Sequence, residues 1–280
     1  MRIKITAEST LDMTEEQLQS YGIVKIPLKV QLGDETHLDG VDLDAQGIYD
    51  FVARTGILPK TSAIAPVEFE DFFQEQLKDA DAVIHFSISS GLSSCYQNAC
   101  LAAEEVGNVY VVDTKTLSTG MALLAIEACE MAQEENADAA AIAEVCRGLA
   151  DKLNVSFVLG DLEYMVKGGR CPAVVRFGAN LLKLRLILEM KDGKLGVCGN
   201  LRGNLSRVNE AYIAGRLKGK KVRKNRVYFT TSCIEDEIPN QGKEVLENMG
   251  IFSEILSSTA GCTVTSHCGK DTFGVLFIEE

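Results

Sequence analysis

The first half of the chain alternates short apolar strands with capped helices, and this alternation constrains the fold more than any other feature of the sequence. The predicted strands are residues 3–7, 23–32, 82–88 and 108–113. Predicted helices begin at the capping box of Thr14, at the cap residue Asp44 and at Pro66, and two more cover residues 117–135 and 138–153. Strands that alternate with helices form parallel sheets, so we predict a mostly parallel sheet with helices on both faces.

The pattern changes in the second half of the chain. Two apolar runs, residues 184–190 and 195–200, flank Lys191-Asp192-Gly193-Lys194, which is typical of a hairpin turn. The elements predicted next are a helix over 205–217, a strand over 226–231, a helix from Asp236 to Met249 and a final strand over 273–278. A hairpin among further strand–helix units indicates a mixed sheet. We therefore expect two α/β domains, residues 1–154 and 155–280.

Composition excludes several classes of protein. The chain has 28 Lys and Arg against 40 Asp and Glu, a formal net charge of −12, which argues against wrapping nucleic acid or coating an anionic membrane. No apolar run reaches about 18 residues, and no signal-peptide pattern opens the chain, so no stable membrane insertion is predicted. Nine cysteines, an odd number without C-x-x-C spacing, fit reduced thiols in a cytoplasmic protein.

A serine-rich segment, residues 87–97, is the strongest local signal for a binding site. It follows an apolar strand and leads into a helix, whose first N–H groups and partial positive charge suit an anion. Gly91 and Ser93 stand at its centre. Turn formation and helix capping by glycine and serine explain the same residues without a ligand. A serine hydrolase is disfavoured because the G-x-S-x-G motif is absent.

Two further segments could contribute to the same site. Thr61 and Ser62 are predicted to lie in a loop between a strand and a helix, and loops at the carboxyl ends of parallel strands converge on ligands. Arg170 follows a glycine pair, whose turn would project a guanidinium suited to carboxylate or phosphate. Taken singly, Thr61 and Ser62 are more often turn and cap residues, and an arginine after a helix end is more often a surface residue.

His267 is the remaining candidate, and it is predicted to lie just before the final strand. It could donate a hydrogen bond to an anion, although a lone histidine more often has a structural role. Cys262, His267 and Cys268 match no tetrahedral zinc spacing, so we predict no metal site. Residues 216–226 hold seven basic residues. In an acidic chain they favour a solvated turn, with a docking surface for an acidic protein as the alternative.

These segments, in this order, resemble the DegV family over residues 3–278. The matching residues are Glu8-Ser9-Thr10-Leu11-Asp12 for the family's D-S-T-x-D turn, Thr61-Ser62 for its T-S loop, Ser89-Ser90-Gly91-Leu92-Ser93 for its S-S-x-L-S loop, Val111-Val112-Asp113-Thr114 for its next strand, and Gly168-Gly169-Arg170 and His267 for its later motifs. The departures are Glu8 for Asp, Ala63-Ile64-Ala65 for Q-P-S, Ser94-Cys95 for G-T and Lys270-Asp271 for P-G.

The resemblance implies a lipid pocket between two α/β domains. It implies that Thr61 and Ser93 hydrogen-bond the carboxylate of one long-chain fatty acid, with Ser62, Gly91 and His267 in the same site and Arg170 facing the partner or phosphate. Family members are binding subunits of a bacterial fatty acid kinase. They present the carboxylate to a separate ATP-dependent kinase subunit, which forms acyl phosphate for phospholipid metabolism. On this interpretation the chain is not itself an enzyme and needs no cofactor.

Two alternatives stay open at the level of sequence. One is an enzyme that acts on a small anionic substrate in the cleft between the domains, using Ser93, Arg170 and His267. The other is a regulatory or scaffold protein whose working surface is the basic stretch at 216–226. A phosphate-binding G-x-x-x-x-G-K-[ST] loop is absent from the sequence, which agrees with a nucleotide site on a separate protein.

Overall fold

Residues 3–113 supply the strands of two sheets. The computed structural model describes residues 1–177, 184–233, 235 and 237–280, without the side chains of residues 176 and 177. The elements up to residue 150 are β1 (Ile3–Glu8), α1 (Glu15–Tyr21), β2 (Val24–Ile26), β3 (Lys29–Leu32), β4 (Glu35–Leu38), α2 (Ala45–Thr55), β5 (Lys60–Ser62), α3 (Pro66–Gln76), β6 (Ala82–Ser87), α4 (Cys95–Val106), β7 (Val109–Asp113), α5 (Thr119–Ala132) and α6 (Ala139–Ala150).

The larger of these two sheets is parallel, with strand order β2-β1-β6-β7 and helices on both faces. This confirms the fold predicted from the strand–helix alternation. The helix starts are confirmed as well. Thr14 forms a capping box with Gln17, and the Asp44 carboxylate accepts a hydrogen bond from the N–H of Gly47. In α3, Phe69 and Phe73 turn towards the sheet and are fully buried.

The smaller sheet, β4-β3-β5, is antiparallel and corrects two predictions. Residues 23–32 form two strands rather than one, because Pro27 has no N–H to donate to a ladder. Thr61 and Ser62 lie in strand β5, opposite Val30 and Lys29 of β3, and not in a loop. A three-residue strand is too short to show periodicity, and its pairing comes from residues 30 positions away.

The second half forms a mixed sheet, as predicted, and six strands of it lie among the described residues. Its elements are β8 (Leu153–Val158), α7 (Leu162–Gly168), β9 (Leu184–Lys191), β10 (Lys194–Arg202), α8 (Leu205–Leu217), β11 (Val222–Thr231), α9 (Glu237–Met249), β12 (Glu254–Thr259), α10 (Cys262–Cys268) and β13 (Phe273–Glu279). The strand order is β10-β9-β8-β13-β11-β12, and in the described part of this sheet only the β11–β12 pair is parallel.

The hairpin between β9 and β10 turns at Asp192 and Gly193, both with positive φ, as the sequence predicted. The predicted helix start at Asp236 lies outside the described residues. The predicted domain boundary at residue 154 stays a prediction. Strand β8, the first in the chain of the six-stranded sheet, begins at Leu153. Among the described residues, no helix is long and apolar enough to cross a membrane.

Residues 218–221 of the basic stretch are exposed between α8 and β11, as expected of a solvated turn, but arginines of the stretch form ion pairs within the fold. Arg226 is only 8% exposed, and its guanidinium donates to Glu130 at 2.7 Å and to Glu254 at 2.6 Å. Arg223 donates to Glu127 at 2.9 Å. Glu127 and Glu130 belong to α5, so these arginines join the second half of the chain to the first. These arginines are paired with glutamates of the same chain and are less available to an acidic partner protein. This weakens the interpretation of the stretch as a docking surface.

Candidate ligand-binding site

A cavity lies between the parallel sheet and the six-stranded sheet. Its walls combine apolar side chains from the loops after β6 and β7 with others from the inner face of β8 and β13. The six central ones are Ile88, Leu92, Leu117, Val155, Phe157 and Leu276. The first three follow the carboxyl ends of parallel strands, where α/β sheets commonly bind ligands. Both halves of the chain are therefore needed to enclose the cavity.

The cavity is narrow. It contains about 920 Å³ of space between atoms, its open mouth included, and little of that space is wide enough for a water molecule. The walls therefore lie close together. A slender, flexible, apolar ligand fits this shape better than a bulky ring system.

Polar groups border the cavity where β5, α10 and the serine-rich loop meet. The Thr61 hydroxyl and His267 Nε2 are hydrogen-bonded at 2.8 Å. The Ser93 hydroxyl accepts from the N–H of Cys95 at 3.2 Å and contacts the Cys95 sulfur at the same distance. Because a thiol is a weak acceptor, the Ser93 O–H can turn to a better one in the cavity. Burial raises the pKa of Cys95 to about 11, so this thiol stays uncharged.

His267 is neutral at physiological pH. Burial, assisted by the charge of Arg170, lowers the pKa of its imidazole to about 4. Its Nδ1 has no hydrogen-bond partner among the described residues. An unpaired buried N–H is costly, so we assign the proton to Nε2, which then donates to the Thr61 oxygen. The Thr61 O–H is consequently free to donate into the cavity.

The glycine pair of the G-G-R motif acts through His267. A Cβ at Gly168 would lie 2.4 Å from Nδ1 of His267, so only glycine lets the ring pack against the end of α7. Arg170 is exposed and borders the cavity, and its Nη1 donates to the Gly168 carbonyl at 2.8 Å. The guanidinium therefore lies at the mouth, with His267 behind it.

Some residues of the serine-rich loop line the cavity, and others make contacts that stabilise the protein. Of its serines, Ser93 lines the cavity, whereas Ser89 donates to the Gly193 carbonyl at 2.6 Å and Ser90 to Asp113 at 2.5 Å. Gly91 is not among the lining residues, because it packs against the β9–β10 turn. A Cβ there would lie 2.3 Å from the Gly193 oxygen. Ser62, which is exposed, does border the cavity.

Two buried carboxyl groups, to which sequence reasoning gave no role in the site, hold α10 in place. Asp39 accepts hydrogen bonds from the N–H groups of Cys262 at 2.7 Å and Thr263 at 3.1 Å. Asp12 accepts from the N–H of Gly261 at 2.9 Å and from the hydroxyl of Ser118, a lining residue, at 2.6 Å. Burial raises the pKa of Asp12 to about 8. The helix that carries His267 is thus fixed by residues more than two hundred positions earlier.

His267 lies just before the final strand, as predicted. It belongs to helix α10, and neither α10 nor β12 was predicted. The segment Cys-Thr-Val-Thr-Ser-His-Cys has low intrinsic helix propensity, and its N–H groups depend on Asp39 and Asp12. Among the described residues, no group of His, Cys, Asp or Glu is arranged to hold a metal ion.

The fold and the site define a class of α/β protein that encloses an apolar cavity between two sheets, with uncharged hydrogen-bond donors at one end. The sequence profile described as "Uncharacterised protein, DegV family" matches residues 2–280. The chain belongs to the DegV family. Solved members of this family from Thermus thermophilus and Bacillus subtilis are described as binding fatty acids.

Individual relatives match over nearly their whole length. A protein of Thermotoga maritima named a fatty acid-binding protein is 31% identical, over 98% of this chain and 96% of its own. A DegV family protein from Thermus thermophilus, described by its fatty acid binding, superposes with a TM-score of 0.89 at 28% identity, covering 100% of both chains. A DegV lipid-binding protein from Thermotoga maritima has a TM-score of 0.84 at 28% identity, covering 99% of both.

Proposed function

We propose that this chain binds one long-chain fatty acid, with its carboxylate at Thr61 and Ser93 and its tail between the two sheets. The observation that carries the proposal is a narrow apolar cavity with free hydroxyl donors at one end. The names of the relatives support it. In this arrangement His267 orients Thr61, and Ser62 borders the polar end. Gly91 contributes indirectly, by letting the serine-rich loop pack on the hairpin.

The energetics favour a carrier of this kind. Burial of a CH₂ group contributes roughly 0.8 kcal/mol, so a tail of about fifteen contributes on the order of 12 kcal/mol before the costs of association. Those costs remove several kcal/mol. The tail therefore provides most of the affinity, while the hydroxyl groups determine which end lies at the mouth. A clamp without a cation leaves the carboxylate available for a later reaction.

We further propose that the bound carboxylate is presented to a separate ATP-dependent kinase for acyl phosphate formation. Arg170 supports this proposal, because it is exposed at the mouth beside the polar end and is free to meet a partner or a phosphate. The alternative of an enzyme with Ser93 as nucleophile is disfavoured. His267, its expected base, is hydrogen-bonded to Thr61, and the Ser93 hydroxyl has contacts with Cys95 instead.

The first test is the lipid content of the purified protein. Protein produced in a bacterial host is expected to carry about one fatty acid per chain, because a narrow apolar cavity is unfavourable to fill with water. Mass spectrometry of a solvent extract measures the content, with an unrelated protein purified in parallel as the control. An extract no richer in fatty acid than that control would contradict the proposal.

The second test separates binding from presentation. Thr61→Val and Ser93→Ala each remove a donor to the carboxylate, at a cost of roughly 1–3 kcal/mol, so fatty acid affinity is expected to fall about tenfold or more. Arg170→Ala is expected to keep wild-type affinity but to slow acyl phosphate formation by a cognate kinase. Equilibrium binding of a fluorescent fatty acid and a kinase assay measure the two properties.

Ser90→Ala is the matched control, since its hydroxyl bonds Asp113 outside the cavity. It should behave as wild type in both assays. If Arg170→Ala loses affinity as severely as Ser93→Ala, the arginine belongs to the binding site, and the proposed division of roles is wrong.

A further inference from the structure

The hydroxyl of Thr263 is a buried polar group that lines the cavity without a partner. Thr263 is only 5% exposed, and its Oγ1 has no hydrogen-bond partner among the described residues. Its position is fixed, because its backbone N–H donates to Asp39 at 3.1 Å. An unsatisfied buried hydroxyl lowers stability, so a residue of this kind needs an explanation.

Other hydroxyls around the same cavity are satisfied within the protein. Ser118 donates to Asp12 at 2.6 Å, Thr272 donates to the Cys268 carbonyl at 2.9 Å, and Thr230 is bonded to Thr119 at 2.5 Å. Their roles are structural. Thr263 differs from them because the atom that would satisfy its hydroxyl must come from the cavity.

The position of Thr263 indicates where that atom lies. Thr263 precedes His267 by four residues in α10, so the two side chains lie on one face, one helical turn or about 5–6 Å apart. His267 holds Thr61 at the polar end of the cavity. The Thr263 hydroxyl is therefore a short way from that end, beside the first few carbons of a chain whose carboxylate is bound there.

We propose that the cavity selects fatty acids that carry a hydroxyl group on one of these first carbons, and that Thr263 is the residue that recognises it. This inference rests on the proposed binding of fatty acids and names the class of acid preferred. An unsubstituted acid places methylene groups against the hydroxyl and leaves it unpaired. A hydroxylated acid pairs with it, and its own hydroxyl is satisfied at the same time.

Displacement of a fluorescent fatty acid tests this preference. The competitors are hexadecanoic acid and its analogues with a hydroxyl on the third, the fifth or the twelfth carbon. Wild-type protein is expected to bind the third- or fifth-carbon analogue about tenfold or more tighter than hexadecanoic acid. The twelfth-carbon analogue should show no such gain.

Thr263→Val identifies the residue responsible, because valine keeps the shape of threonine without the hydroxyl. The variant is expected to lose the preference and to bind the third- and fifth-carbon analogues no more tightly than hexadecanoic acid. Thr265→Val is the matched control. Thr265 is buried on the same helix, but its hydroxyl donates to the Ala260 carbonyl at 3.2 Å and lies outside the cavity lining.

The outcomes distinguish this inference from the proposed function. Equal wild-type affinities for all four acids, or a preference that survives Thr263→Val, would overturn the inference and leave fatty acid binding intact. Failure of every acid to displace the probe would overturn both.

Discussion

Replacement of Asp39 by alanine is expected to lower the free energy of unfolding by about 4 kcal/mol or more. The carboxylate is 1% exposed, and it accepts hydrogen bonds from the Ser9 hydroxyl and from the N–H groups of Cys262 and Thr263. Bonds to a charged group contribute about 1.5–3 kcal/mol each, and unsatisfied donors add to the loss. Removal of Asp39 relieves some repulsion of Asp12, but this gain is smaller than the loss of three bonds.

Asp44→Ala is the control for this prediction. Asp44 also caps a helix, α2, through the N–H of Gly47 at 2.8 Å, but it is exposed and makes its contact within one segment. Its loss should cost about 1 kcal/mol. Denaturant unfolding of lipid-free protein, followed by a near-ultraviolet signal, compares the two variants. Similar losses for both would show that Asp39 is an ordinary cap and does not hold the two halves together.

Gly168→Ala is expected to weaken fatty acid binding about thirtyfold to a hundredfold. Gly168 ends helix α7, where alanine is normally favoured by about 1 kcal/mol. Here its Cβ would lie 2.4 Å from His267 Nδ1, so the imidazole must move and release Thr61. Loss of that bond and of the oriented Thr61 donor amounts to about 2–3 kcal/mol. The measurement is equilibrium binding, with thermal unfolding in parallel.

Replacement of the adjacent glycine, Gly169, serves as the control, because it is expected to lower stability and not affinity. Gly169 has φ +71°, and a Cβ there would meet no atom within 4 Å. Gly169→Ala is therefore expected to cost about 1–2 kcal/mol of stability through its left-handed backbone, with little change in binding. If both variants lose stability and neither loses affinity, the first glycine is needed for the turn alone, and its proposed relation to His267 is wrong.

The parts of the fold that were predicted correctly are those that local sequence determines. Thr14, Asp44 and Pro66 start helices through contacts within a few residues, and the turn at Asp192-Gly193 needs only its own backbone geometry. Helix α10 was missed because its residues do not favour a helix by themselves. Its first N–H groups are satisfied by Asp39 and Asp12, whose proximity depends on the tertiary structure.

The candidate site shows the same division. Five residues predicted for the site border the cavity: Thr61, Ser62, Ser93, Arg170 and His267. They could be predicted because hydroxyl and basic residues near turns are recognisable in the sequence. The sequence did not show that Gly91 differs in role from the serines beside it. Its role follows from its contact with the β9–β10 hairpin, which is distant in sequence. The one sequence feature that could have placed Thr263 in the site is its spacing of four residues from His267. That spacing has meaning only once α10 is known to be a helix.

The long-range contacts around α10 bear on the order of folding. Thr61 and His267 are separated by 206 residues, and Asp39 and Cys262 by 223. Closure of such large loops costs entropy before any contact repays it, so contacts of this range tend to form late. During synthesis, the parallel sheet and its loops emerge well before α10, with one wall of the cavity uncovered. We therefore expect the hydroxyl-lined end to be completed last, and lipid to be captured after folding.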